Sequence, residues 1–204
     1  MKVKICGLKR PEDISYVNEV KPDYIGFVFA DSRRQVSVEQ AESLSRQLNP
    51  GIIPIGVFVN DQIDKIAYLL DENIIQAVQL HGDEDNSYIK ELRTLVKGKP
   101  IIQAVRIKDK SSLVRAGESI ADYLLLDTYS PHTAGGTGET FNWDMIEDIQ
   151  KPYFLAGGLT VENVEEAVRK SNPYCLDLSS GVETNQVKDR DKIMEVVLKI
   201  RSMK

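Results

Sequence analysis

The sequence predicts a single-domain (β/α)8 barrel of the TIM-barrel layout, one parallel eight-stranded barrel over residues 1–204, and three observations carry that prediction. Apolar strand-like runs recur eight times with helix-patterned segments between them, at a repeat of about 25 residues that suits a compact strand-helix unit. The first strand opens into C-G-L-K-R-P (6–11), not into the G-x-G-x-x-G of a doubly wound open sheet, the other fold with this alternation. Glycines and small residues collect instead after the seventh and eighth strands, where barrels of this kind hold phosphate.

The expected strands are 2–6 (KVKIC), 23–29 (DYIGFVF), 53–59 (IPIGVFV), 75–80 (IQAVQL), 101–106 (IIQAVR), 122–127 (DYLLLD), 153–156 (YFLA) and 174–178 (YCLDL). They are short, rich in β-branched residues and bounded by Gly, Pro, Asn or Asp. Helix starts are expected at Pro11-Glu12-Asp13, at Ser37 with Gln40 as a capping box, and at Asp61 ahead of Ile63, Ile66, Leu69 and Leu70. Two short helices are expected near 111–119 and 142–149. Thr160 with Asn163 opens another, and Asp189 leads into Ile193, Val196, Val197 and Ile200. No linker or low-complexity tract divides the chain.

Composition narrows the function. With 26 basic and 31 acidic residues, a net charge of -5 and no Lys/Arg-rich run, the chain is unsuited to nucleic acid, although local basic groups remain available for a small anion. No run of 18 apolar residues is present, so no membrane partner is expected and a cytoplasmic location is the default. Cys6 ends the first strand and Cys175 begins the last, which separates them beyond the 7 Å or so that a disulfide spans, so both thiols should be free. His81 and His132 are the only histidines. With no H-x-x-x-H spacing, a Cys/His metal site is not expected.

The chemistry should lie at the carboxyl ends of the strands, which face the ligand in parallel α/β folds. Cys6 sits at such an end, although a lone cysteine is more often a small core residue. Asp127 follows three leucines, an apolar setting that favours the neutral acid and suits a proton donor. Behind it the Gly-rich stretch 129–140 (YSPHTAGGTGET) has the length of a lid. Arg34 after the second strand offers a fork for a carboxylate, and Arg33 is chemically equivalent by composition. His81 ends the fourth strand and Asp177 lies on the eighth. Ala156-Gly157-Gly158-Leu159 and Ser179-Ser180-Gly181 present backbone N–H groups that could approach a phosphate.

These segments fall in a recognisable order: K-I-C-G-L, S-R-R-x-V, V-Q-L-H-G, L-L-D-T followed by G-G-T-G-x-x-F-x-W, L-A-G-G-L-x-x-x-N-V, and D-L-S-S-G-V-E-x-x-x-x-K-D. From residue 4 to residue 189 the chain resembles the phosphoribosylanthranilate isomerase family of tryptophan biosynthesis. The resemblance implies a cofactor-free Amadori rearrangement of N-(5-phosphoribosyl)anthranilate, a phosphorylated aminosugar, to 1-(2-carboxyphenylamino)-1-deoxyribulose 5-phosphate. It implies Asp127 as general acid at the ribose ring oxygen and Cys6 as general base at C2. It further implies Arg34 at the anthranilate carboxylate, His81 and Asp177 lining the site, and Gly157, Gly158, Ser180 and Gly181 at the phosphate. A monomer or homodimer is equally compatible with it.

The chain departs from the family pattern at Asn185-Gln186, where Pro-Gly is common, and at Asn142, where Asp is usual. The first bears on the ordering of the loop after the eighth strand; the second changes a helix cap that Asn also fills. Two other readings compete. A ribulose-phosphate epimerase or the isomerase of histidine biosynthesis would share the phosphate grip, but the first needs metal ligands that are scarce here and the second resembles a duplicated half-barrel with paired aspartates. A barrel that only binds a phosphorylated ligand is the non-enzymatic alternative, and the presence of both Cys6 and Asp127 speaks against it.

Overall fold

The computed structural model describes residues 1–128, 140–146 and 149–203. Eight parallel strands close into a barrel in sequence order: β1 (Lys2–Cys6), β2 (Tyr24–Val28), β3 (Ile53–Phe58), β4 (Ala77–Leu80), β5 (Ile101–Ile107), β6 (Tyr123–Thr128), β7 (Tyr153–Leu155) and β8 (Cys175–Leu178). β8 returns to β1 with Lys4 opposite Asp177, and β1 meets β2 with Cys6 opposite Gly26. Each predicted strand is found within two residues of its expected limits, and closure excludes the open sheet.

Period-two alternation divides the strand residues into two cores. Val3, Ile5, Ile25, Phe27, Val78, Leu80, Leu124 and Leu126 pack with the helices in the outer core. Ile55, Ala77, Ile102, Leu125, Phe154, Ala156 and Cys175 form the separate filling of the barrel. Removing a Leu- or Ile-sized side chain from water contributes about 1.5–3 kcal/mol, so the strands are held mainly by burial on both faces. The barrel filling is aromatic at the amino ends, where the Tyr24 and Phe154 rings lie 5.4 Å apart and Tyr123 and Tyr174 5.1 Å apart. Towards the carboxyl ends it turns polar, with Lys4, Gln79, Asp127 and Asp177 all buried.

The outer layer comprises α1 (Pro11–Val20), α2 (Val38–Ser45), α3 (Ile63–Asp71), α4 (Asn86–Leu95), α5 (Lys110–Gly117), α6 (Val164–Ser171) and α7 (Arg190–Ser202). Side-chain oxygens of Ser37, Asp85, Asp109 and Asp189 accept the free N–H groups at four of the helix starts. The Ser37/Gln40 capping box forms in both directions.

Three expectations about the helices need correction. Among the described residues the predicted helix at 142–149 is only a three-residue 3-10 turn, Trp143–Met145. Asn142 caps that turn, the indole of Trp143 is buried, and Ile146 is already extended at ψ 92°; anchoring the Trp in the core ends the helical path. α3 is capped at Gln62, because the Asp61 carboxylate is engaged by the Gln62 N–H and by Lys65. α6 starts at Val164, four residues after Thr160: Asn163 accepts from the Thr160 N–H and donates to the Gly158 carbonyl, bracing the loop instead of capping a helix there. The candidate lid, 129–140, lies outside the described residues except for Thr140.

An element the sequence did not announce follows β8. Ser180–Val182 forms a 3-10 turn, and β9 (Glu183–Thr184) pairs antiparallel with β10 (Val187–Lys188). Asn185 and Gln186 close this hairpin with φ of 50° and 65°, the left-handed geometry a two-residue hairpin turn demands. The departure from Pro-Gly therefore leaves the segment ordered.

Candidate active site

A cavity opens at the carboxyl ends of the strands. It is lined by Cys6 of β1, Arg34 beyond β2, Gln79 and His81 at β4, Asp127 of β6, and Asp177 of β8, with Ala156, Gly157, Gly158, Ser179 and Ser180 along one side. Thus every predicted site residue except Gly181 lines one space. Gly181 sits against the loop after β7: a Cβ there would lie 1.9 Å from the Leu159 carbonyl oxygen, so glycine lets the two loops touch. Gly157 and Gly158 have φ of 88° and 65°, and their loop enters the cavity beside Ser180.

Lys4, two residues before Cys6 on the same inward face of β1, has a fully buried side chain. Its Nζ donates to Asp177 Oδ2 at 2.8 Å and to Gln79 Oε1 at 2.8 Å. Burial disfavours its charge, but Asp177 and Cys6 outweigh burial and hold the ammonium form far above the ordinary lysine range. The second cation near Cys6 is Lys188, which donates to the Ser179 carbonyl at 2.9 Å and to Glu183 at 2.8 Å. Burial pushes the Cys6 thiol up, Lys4 and Lys188 pull it down, and Asp177 raises it again; the balance is raised. The balance thus favours the thiol, with the Lys4 and Lys188 amines placed to receive its anion. Asp177 is also raised, by burial, against the pull of Lys4, and its Oδ1 finds no hydrogen-bond partner among the described residues.

At β6 the Asp127 side chain is 9% exposed. Its Oδ1 accepts from the Thr128 N–H at 2.8 Å, and its Oδ2 lies 3.2 Å from His81 Nε2. On the opposite edge of the same imidazole, Nδ1 is 2.8 Å from Gln79 Nε2.

The two arginines separate cleanly. Arg34 lines the cavity, its side chain 15% exposed, with Nε and Nη2 donating to Glu183 and the Nη1 edge outside that fork. It lies directly over Gly7, where φ is 83° and an added Cβ would come 2.4 Å from Arg34 Cδ, so the glycine is needed for this approach. Arg33 faces away, bonding Glu183 and the Gln186 carbonyl at the surface. Burial alone would raise the Glu183 carboxyl; Arg34, Lys188 and Arg33 together hold it down at about 2.

Both cysteines are free, with Cys175 opposite Lys2 at the far end of the paired strands. Among the described residues no group of three or more His, Cys, Asp or Glu side chains is placed to hold a metal ion, and no helix is long and apolar enough to cross a membrane.

A cysteine on β1, an aspartate on β6 and an arginine in the loop after β2 thus face one cavity beside a glycine-serine loop. Residues 3–199 match the family model of N-(5'-phosphoribosyl)anthranilate (PRA) isomerase. The chain belongs to the phosphoribosylanthranilate isomerase family. It is 52% identical over 202 residues to the N-(5'-phosphoribosyl)anthranilate isomerase of Endomicrobium trichonymphae, with 99% of each chain covered. The crystal structure of phosphoribosyl anthranilate isomerase from Thermotoga maritima superposes with a TM-score of 0.87 at 34% identity, with full coverage of both chains. A second isomerase structure of this family, in complex with reduced 1-(o-carboxyphenylamino)-1-deoxyribulose 5-phosphate, is 33% identical with a TM-score of 0.84, again over the whole of both chains.

Within this isomerase fold, four residues of the site escaped the sequence reading: Lys4, Gln79, Glu183 and Lys188. The signal for the first two was present. Once Cys6 and His81 are taken as inward-facing, a strand period of two makes Lys4 and Gln79 inward-facing as well, and polar residues inside a barrel call for partners. Glu183 and Lys188 carry no strand-period signal, because they reach the site through a hairpin; their only mark in the sequence is as fixed letters of D-L-S-S-G-V-E-x-x-x-x-K-D.

Proposed function

We propose that this chain performs the family reaction, the cofactor-free rearrangement of N-(5'-phosphoribosyl)anthranilate to 1-(2-carboxyphenylamino)-1-deoxyribulose 5-phosphate, with Asp127 as general acid and Cys6 as general base. The observation that carries the reading is the placement of these two proton-bearing groups on β6 and β1, facing one cavity between an anion loop and an arginine fork. Asp127 gives its proton to the ribose ring oxygen as the C1–O bond breaks, which leaves a protonated Schiff base at C1. Cys6, as thiolate, takes the proton from C2; the electron pair of that bond forms the C1–C2 double bond of an enolamine and the iminium is neutralised. Tautomerisation of the enolamine to the ketone moves a proton from the C2 hydroxyl to C1, and the proton gained by Cys6 is returned to Asp127 by way of solvent, so the sum is an isomerisation with no other reactant.

The remaining assignments follow from chemistry and position. The Nη1 edge of Arg34 takes the anthranilate carboxylate, since Glu183 occupies the other edge. Gly157, Gly158 and Ser180 take the phosphate, and Gly181 serves that grip by bringing the two loops together. Asp177 Oδ1, buried and unpaired, accepts a ribose hydroxyl, and His81 supports Asp127. The fluorescence of freshly prepared phosphoribosylanthranilate tests the reading. Its loss on adding protein, faster than the uncatalysed decay, is the expected result; a signal that only decays at the uncatalysed rate refutes turnover and leaves a binding protein.

A further inference from the structure

Gln79 is buried in the wall of the cavity and touches no proton-transfer group itself, yet it joins the cation beneath Cys6 to the histidine beside Asp127. We propose that Gln79 is the positioning residue that fixes His81 in the Nε2–H tautomer, so that the imidazole donates to Asp127 Oδ2 and holds the carboxylate that remains once Asp127 has given up its proton. This rests on the assignment of Asp127 as the general acid.

The argument is one of donor counting. An ammonium group has three donors and no acceptor, so the Gln79 atom 2.8 Å from Lys4 Nζ has to be the amide oxygen. That orientation leaves the NH2 end, a donor only, against His81 Nδ1 at 2.8 Å. Nδ1 therefore accepts, and the ring proton of a neutral imidazole resides on Nε2, which faces Asp127 at 3.2 Å. Flipping the amide would set NH2 against ammonium, and moving the ring proton to Nδ1 would set N–H against NH2. Lys4 is itself anchored by Asp177 at 2.8 Å, so the polarity of the chain is set from the β8 side of the barrel.

The consequence for the reaction lies at Asp127. With the Thr128 N–H on Oδ1 and the His81 N–H on Oδ2, both oxygens meet a donor as negative charge appears on the carboxyl, a stabilisation that is greatest in and after the ring-opening step. In the other tautomer a nitrogen lone pair would face Oδ2 and oppose that charge. The effect of Gln79 on Asp127 runs through His81, and its loss should lower kcat while leaving KM nearly unchanged.

Histidine nitrogen NMR reads the tautomer directly. His81 and His132 are the only histidines, so the full-length His132→Gln protein shows one imidazole, recorded at pH 8 with nitrogen-15 label. It should be the Nε2–H form. Gln79→Glu retains an oxygen for Lys4 but presents an acceptor to His81; the ring proton should move to Nδ1 and kcat should fall about 10-fold or more, with KM within about threefold. Gln79→Met, which adds no charge, should give a mixture of tautomers and a smaller loss of kcat, and it serves if the Glu variant fails to fold. An imidazole that stays purely Nε2–H in the substituted protein overturns the proposal, and so does a moved proton with unchanged kcat. Were the wild-type protein itself inactive on phosphoribosylanthranilate, the isomerase reading would fall while the tautomer comparison still decided what Gln79 does to His81.

Discussion

The Arg34 guanidinium meets the Glu183 carboxylate edge to edge, through Nε at 2.7 Å and Nη2 at 3.1 Å. Glu183 lies at the start of a hairpin stitched to the barrel by Lys188, so the arginine that reaches into the cavity is aimed by a residue about 150 positions away in the chain. The same carboxylate also receives Arg33.

Glu183→Gln should accordingly loosen both the fork and the fold. Removing one partner from a buried network leaves Arg34 and Lys188 uncompensated and should cost about 3 kcal/mol of stability. Because Glu183 is held down at about 2 in the folded protein against an ordinary 4.5, its contribution is complete above pH 4.5 or so and is lost as the pH falls towards 2. Thermal melts between pH 6 and pH 2 should show an acid-induced decline that is shallower in the Gln variant. An unchanged acid limb would show that Glu183 is not a source of it.

Exchange of the two arginines tests which of them meets substrate. Arg34→Ala should weaken substrate binding by about 2–4 kcal/mol, read as a rise in KM or in the Kd of a product analogue. Arg33→Ala, whose partners are Glu183 and the Gln186 carbonyl at the surface, should change binding by no more than about 0.5 kcal/mol. The reverse ranking would give the carboxylate to Arg33.

Asp127→Asn keeps the shape of the side chain and removes the transferable proton. The expected loss of kcat is about 10²- to 10⁴-fold, with thermal stability and analogue affinity close to wild type. A variant retaining more than about a tenth of the wild-type rate would remove Asp127 from the proton-transfer role.

Cys6 lines the cavity whereas Cys175 is wholly enclosed in the barrel filling and its thiol is pushed well up by burial. Iodoacetamide should therefore modify Cys6 first, and a product analogue should shield it. Since burial raises the Cys6 thiol above its ordinary value of 9.0, kcat/KM should climb with pH through the neutral range and into the alkaline, as the thiolate fraction grows, until other groups lose the protons they need. Cys6→Ser should abolish nearly all activity while altering stability by no more than about 1 kcal/mol; near-normal turnover by the serine protein would dismiss the thiolate base.

The hairpin turn offers a test of local strain. Gln186 holds φ at 65°, a region in which a side chain is disfavoured and glycine is not. Gln186→Gly should raise stability by about 0.5–1 kcal/mol, measured by urea unfolding, because the carbonyl that Arg33 binds is kept and only the strain is lost. A destabilised glycine variant would mean that the Gln side chain contributes more than its backbone geometry costs.

The limits of each strand, the barrel layout and the chemical types at the strand ends were legible in the sequence because they rest on local and periodic signals. Val3 and Ile5 alternate with Lys4 and Cys6, Asp127 follows its leucines, and Ser37 with Gln40 and Asp189 mark helix starts within a few residues of the turns they cap. The short path at Trp143–Met145 was not legible, since it depends on the Trp143 indole being anchored in a core that other parts of the chain build. Composition and spacing did not choose between Arg33 and Arg34, and only the family resemblance singled out Arg34: adjacent residues of one type differ only in which way the chain turns beneath them, and Gly7 and Glu183, from two other parts of the chain, decide which of them lines the cavity. The state of Cys6 and the tautomer of His81 depend likewise on Lys4, Asp177 and Gln79, which barrel closure brings together from β1, β8 and β4. Sequence supplies donors and acceptors and their local spacing; which of them meet, and therefore where charge and protons reside, is set by distances that exist only once β8 has paired with β1.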